Sequence, residues 1–193
     1  MHEEYIQEKT FKKIDFKESP LEKGEYENCC FDNCDFSDFN LSEYKFIDCE
    51  FTGCNLSMAK LDMTVFRDAE FKDCKMLGLH FENCSDFGLS FSFENCLLNH
   101  STFFKTKIRK TVFTNCVLQE TDFSFADLTE AKFDNCDLSR TAFNNTILEK
   151  ADFRTSFNYS IDPEQNRIKK AKFSVSGIQG LLDKYNIIID NTI

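Results

Sequence analysis

The sequence predicts an all-β solenoid, a chain wound into stacked coils, and three observations lead to that prediction. A bulky apolar residue recurs every fifth position from Phe11 through Phe16, Leu21, Tyr26, Phe31, Phe36, Leu41, Phe46, Phe51, Leu56, Leu61, Phe66, Phe71 and Met76 to Phe81. The series resumes in a new register at Phe93 and runs through Leu98, Phe103, Ile108, Phe113, Leu118, Phe123, Leu128, Phe133, Leu138, Phe143 and Leu148 to Phe153. A period of five fits neither the 3.6-residue helix nor the two-residue strand, so the chain turns a corner once per repeat. The residue two before most anchors is small, as at Cys34, Cys54, Ala69, Thr121 and Ala131. Residues two apart in an extended segment point the same way, so each repeat sends one bulky and one small side chain inward. Finally, the composition, with 23 Phe against 6 Gly, 2 Pro and no Trp, is consistent with this, and 193 residues suit a single domain.

The units Cys34-Asp-Phe-Ser-Asp38, Ala126-Asp-Leu-Thr-Glu130 and Cys136-Asp-Leu-Ser-Arg140 resemble the pentapeptide-repeat family, whose consensus is a small residue, a polar residue, Leu or Phe and two variable residues. The resemblance implies a right-handed quadrilateral β-helix with four repeats per coil. Residues twenty apart then stack, and Phe11, Phe31, Phe51, Phe71, Phe93, Phe113, Phe133 and Phe153 form one column. The step from Phe71 to Phe93 is two residues too long. The same correction aligns Cys34, Cys54 and Cys74 with Cys96, Cys116 and Cys136, which places a bulge or loop at residues 84–90, around Gly88. The expected organisation is a lead-in over residues 1–10, a β-helix over 11–155 with a register shift near 82–92, and a C-terminal cap and dimerisation segment over 156–193.

Nine of the ten cysteines fall at the small inward position, Cys30 being the exception, so free, buried thiols are expected. His2, His80 and His100 lie far apart, and no phosphate-binding Gly loop or metal-binding helix is present. No catalytic, cofactor or metal site is therefore expected, and the chain reads as a binding protein rather than an enzyme. With no apolar leader and no membrane-length run, a cytoplasmic location is expected.

Beyond residue 154 the rhythm changes. Ile161-Asp-Pro163 predicts a turn after the last coil, residues 168–173 a strand, 176–185 a short helix capped by Ser176, and 187–189 a final strand. Ile178, Leu181, Leu182 and Tyr185 recur at helical spacing. Ile161-Asp-Pro163, Ile168, Lys172-Phe173, Gly180-Leu-Leu182 and the Ile-rich end resemble the tail of the Qnr group of pentapeptide-repeat proteins. That resemblance implies a homodimer through the C-terminus, with Phe173, Ile178, Leu181, Leu182, Tyr185, Ile187 and Ile189 as its contacts. It also implies a partner, DNA gyrase or topoisomerase IV, which a DNA-mimicking rod protects from quinolones. The two projecting loops of Gram-negative members have no counterpart here beyond the two-residue excess.

Charge bears on the same question. Residues 1–50 hold 14 Asp or Glu against 6 Lys or Arg, whereas residues 101–150 hold 7 against 7, within a net charge of −10. Such a surface favours basic, DNA-binding grooves and disfavours nucleic acid. Asp32, Asp35, Asp38, Glu43, Asp48 and Glu50 are the candidate electrostatic contacts. Lys105, Lys107, Arg109 and Lys110 make a basic patch after the insertion, and Phe104, Phe125, Met58 and Met63 occupy outward positions. Either these apolar residues form an exposed contact site or a register irregularity buries them. The alternative function is a generic protein-binding scaffold with no role at topoisomerases, its acidity serving solubility.

Overall fold

Two residues per repeat point inward, and the chain closes around them into a parallel β-solenoid with four sides. The computed structural model describes residues 4–190. Two sides carry regular strands. One sheet comprises β1 (Glu4–Gln7), β3 (Gly24–Glu27), β5 (Lys45–Ile47) and β7 (Val65–Arg67), stacked in that order. The other comprises β2 (Thr10–Lys12), β4 (Cys30–Asp32), β6 (Glu50–Thr52), β8 (Ala69–Lys72), β9 (Phe91–Glu94), β10 (Val112–Thr114) and β11 (Lys132–Asp134). Every pairing is parallel, and Phe31 stands opposite Phe51. The remaining sides are held by single bridges such as Asp35 to Asn55 and Asn40 to Lys60.

The predicted Phe column is present and runs one coil further than expected. Successive rings from Phe11 to Phe153 stack with centroids 4.7–5.3 Å apart, and Phe173 adds a ninth ring 5.4 Å beyond Phe153. Beside it stand the thiols. Cys54 Sγ lies 3.3 Å from the Phe31 carbonyl oxygen and Cys74 Sγ 3.2 Å from that of Phe51. Where a hydroxyl occupies the small slot it donates more strongly: Thr141 Oγ1 reaches the Leu118 carbonyl at 2.7 Å and Ser156 Oγ that of Phe133 at 2.9 Å. The small residue thus satisfies a carbonyl of the preceding coil while leaving room for the neighbouring ring. All ten cysteines are free thiols, nine buried and Cys30 half-buried. Burial pushes the Cys49 thiol up to about 12, so it packs as a small neutral group.

Each corner is made by the residue two after the anchor, which adopts left-handed backbone with φ near +50 to +65°, as at Asn33, Asp38, Met58 and Lys105. Side chains other than Gly are strained there by roughly 1–2 kcal/mol, less for Asn and Asp. The corner N–H recovers part of that cost by donating to the next coil, as Asn33 does to the Thr52 carbonyl at 2.8 Å.

The two-residue excess lies where expected. β8 pairs with β9 at an offset of 22, Phe71 opposite Phe93, and residues 84–90 form the loop, with Gly88 at φ +73°. Phe91 stands opposite Ala69, in a small-residue slot, and fills the space of the missing anchor against Phe81 and Phe93, at 5.4 and 5.0 Å.

Both ends differ from expectation. The ladder begins before residue 11, because β1 pairs with β3 and brings Ile6 into the core. At the other end residues 168–173 are not a strand. They complete a further coil, with Arg167 bridging to Ile147 and Lys172 to Asp152. The turn at Asp162 therefore lies within the solenoid; Asn166 fills the small slot and donates to the Phe143 carbonyl at 2.8 Å. The predicted helix is two short 3-10 turns, Ile178–Leu181 and Asp183–Tyr185, and Ser176 does not cap it. Instead Ser174 Oγ accepts from the Gly177 N–H at 3.1 Å. Residues 187–189 form no strand. The tail is tied back by Lys184, whose ammonium sits 2.8 Å from Asp162 and 2.6 Å from Glu164.

Candidate partner-binding surface

Outward side chains come from the flanks of each anchor and from the corners, so the winding decides which charges meet. The six candidate carboxylates span just under one coil, and the structure arranges them as a collar over two sides and three successive corners rather than as a stripe on one. Asp32 projects from β4, 3.8 Å from Lys12. Asp35 lies on the next side and accepts the Ser37 N–H at 2.7 Å. Burial alone would raise the Asp35 pKa, but the Ser37 hydroxyl and amide hold it below the usual range, so this carboxylate shapes its own turn. Asp38, Glu43 and Asp48 occupy three successive corners and are exposed. Glu50 projects from β6, 3.9 Å from Cys30 Sγ. Lysines one coil earlier partly neutralise the collar, Lys17 reaching Asp38 at 3.2 Å and Lys23 pairing with Glu43.

Lower down the rod the sign reverses. Between Glu94 and Glu120 the sequence has no carboxylate, and Lys105, Lys107, Arg109 and Lys110 fall on one side and its two corners. Arg109 is engaged by Asp127 at 2.6 Å. Burial would push the Asp127 carboxyl up, but Arg109 and Thr129 more than offset it and hold the pKa below the usual carboxylate value. A carboxyl depressed on folding stabilises above its unfolded pKa and ceases to do so as pH falls through the folded one. Asp127→Asn is therefore expected to cost about 1–3 kcal/mol at neutral pH. The deficit should shrink in acid, where the native carboxyl is protonated too; urea unfolding at neutral and strongly acid pH measures both.

The outward apolar residues are not buried by any slip of register. Met58, Met63 and Phe125 sit at corners, 50–61% exposed, and half-buried Phe104 meets the Phe125 ring edge-on at 5.6 Å. Sequence reasoning missed Phe87, Leu97, Val112 and Phe157, which are also exposed. Their signal was an apolar residue at an outward repeat position, except for Phe87, which stands on the insertion loop with the Arg67 guanidinium 5.9 Å from its ring centre.

The structure divides the seven candidate dimer contacts. Phe173 and Leu181 pack against the core and close the last coil, and Leu182 is half-buried. Ile178, Tyr185, Ile187 and Ile189 are exposed, together with Ile188. Among the described residues no helix is long and apolar enough to cross a membrane, and no group of His, Cys, Asp and Glu is placed to hold a metal ion.

A family model agrees with this architecture. The family model described as "Pentapeptide repeat region" matches residues 24–91 and 89–158. No curated protein matches the sequence. Among solved structures, full-length QnrB1, a plasmid-mediated fluoroquinolone resistance protein, is 21% identical over 95% of this chain and 100% of its own, with a TM-score of 0.47. HetL, a pentapeptide repeat protein involved in heterocyst differentiation regulation from the cyanobacterium Nostoc sp. strain PCC 7120, is 14% identical over 87% of this chain and 86% of its own, with a TM-score of 0.40. At such identities and scores neither likeness defines a function. The family match spans more than half of the sequence, and its repeats are the coils described above: the chain belongs to the pentapeptide-repeat family.

Proposed function

We propose that this protein is a non-enzymatic, DNA-mimicking ligand of bacterial type II topoisomerase, most directly DNA gyrase, and lowers the enzyme's sensitivity to quinolones. The acidic collar carries the reading. A rod whose N-terminal coils carry carboxylates on adjacent sides and on three corners presents negative potential in most rotations in which that end enters a basic groove, as duplex DNA does. Eight coil steps at about 4.8 Å give a rod of about 38 Å, a length over which duplex DNA carries roughly 20 charges. The net charge of −10 makes the mimicry partial and strongest at the N-terminal end. The resemblance of the tail to the Qnr group supports a second element, a homodimer joined through Ile178, Tyr185, Ile187 and Ile189. Sedimentation equilibrium should then return twice the mass of 22.5 kDa.

The test is a gyrase supercoiling assay with and without ciprofloxacin, comparing the native chain with Asp38→Lys/Glu43→Lys/Asp48→Lys. The fold tolerates these changes, because Arg140, Lys105 and Lys110 already occupy the same three corners in lower coils, with φ of 55, 60 and 61°. Asp35 is left untouched because it holds its turn. The native protein should alter supercoiling or drug inhibition at micromolar concentration and the variant should not. Inactivity of both would contradict the reading and favour a scaffold for another protein.

A further inference from the structure

The insertion opens a groove, and we propose that it binds an extended acidic segment of a partner protein carrying a large apolar side chain. The strand ladder on this side stops at β7, and Lys107, which bridges Asp127 in the next coil, has no strand pairing toward β7. Between them lies a groove of about 370 Å³ walled by Met63, Leu89 and Phe104, with Lys105 and Lys107 on one rim and Asp86 on the loop.

Three features define the occupant. Lys105, whose ammonium lies 4.9 Å from the Phe104 ring centre, and Lys107 have no ion-pair partner among the described residues, and they belong to the longest stretch of this acidic chain that lacks carboxylates. The apolar walls of the groove favour an aliphatic or aromatic side chain. One main-chain and one side-chain group are also left over in the groove. The Lys107 N–H makes no hydrogen bond among the described residues, and one carboxylate oxygen of Glu82, which also lines the groove, is buried without a partner. A peptide backbone offers the acceptor and the donor these two groups lack. The phosphodiester backbone of a nucleic acid offers no donor to Glu82, so that backbone fits less well than a peptide's.

The test is fluorescence anisotropy with a labelled peptide alternating Glu with Leu and Phe, beside the same peptide with Lys for Glu, an all-Glu peptide and a single-stranded oligonucleotide of equal length. The alternating acidic peptide should bind best. Lys105→Glu/Lys107→Glu, with Glu already at the Glu120 and Glu130 corners and Asp127 at the position equivalent to Lys107 one coil on, should weaken it by about tenfold or more, and Phe104→Ser should do so without changing the salt dependence. No binding, equal binding of the oligonucleotide or the all-Glu peptide, or indifference to either variant overturns the proposal. So does self-association of the native protein that the Lys pair variant abolishes, since the occupant would then be the acidic collar of a second copy.

Discussion

Phe113→Ala is expected to lower the unfolding free energy by about 3–5 kcal/mol. Its ring is fully buried and stacks on Phe93 at 5.2 Å and on Phe133 at 4.9 Å, with Phe103 and Phe123 edge-on at 6.1 and 5.9 Å. Removing it forfeits roughly 1.5–3 kcal/mol of burial, adds a cavity that rigid coils on both sides cannot close, and breaks aromatic contacts worth about 0.5–1.5 kcal/mol a pair. Asn115→Ala is the informative comparison. Asn115 sits at a corner with φ +53° and joins a side-chain ladder, donating to Asn95 at 3.1 Å and accepting from Asn135 at 2.8 Å. Its loss should cost about 1–2 kcal/mol, more than an ordinary surface change but well below the Phe deletion. Equal losses in urea unfolding would contradict the assignment of inward and outward positions.

Gly180→Ala is expected to be as damaging through a different mechanism. A Cβ at Gly180 would stand 2.0 Å from the Tyr159 carbonyl oxygen, a backbone atom that no rotamer change moves, while the Gly180 carbonyl accepts the Ile161 N–H at 2.8 Å. The two segments must separate, uncovering Tyr159 and Phe173 at the end of the ring column, 5.7 Å apart. A loss of about 3 kcal/mol or more follows from overpacking combined with uncapping. Far-ultraviolet circular dichroism on heating should show melting that begins at a lower temperature than in the native chain. A melting curve identical to that of the native chain would mean that the cap does not hold the rod closed.

The repeat region was legible because one physical constraint, a bulky inward side chain with a second inward residue two before it, recurs at most corners from Phe16 to Phe81 and at every corner from Phe93 to Phe153. Two columns, Phe and Cys, independently located the register shift. The ends were harder to read. Ile6 follows Glu4 rather than a small residue, so the first coil carries no signature although its backbone pairs. Ile168 and Phe173 keep the five-residue spacing, with Asn166 and Ala171 in the small slots, and the stack beneath them makes bridges where local β-propensity predicted a strand. The tail failed as a helix because Gly177 and Gly180 pack directly on Tyr159, a long-range contact invisible to helical periodicity. The acidic candidates were legible as residues but not as a shape: a cluster in sequence became a collar once wound. The groove beside Met63 depends on what the insertion leaves unpaired, which no local pattern encodes.

The central claim, that the rod occupies a DNA-binding groove by resembling DNA, is tested most directly by competition. Labelled protein bound to gyrase should be displaced by unlabelled duplex DNA, its affinity should fall as salt rises, and the Asp38/Glu43/Asp48 lysine variant should bind weakly at every salt concentration. A ternary complex in which gyrase holds DNA and the rod together, with affinity indifferent to salt, would contradict the account.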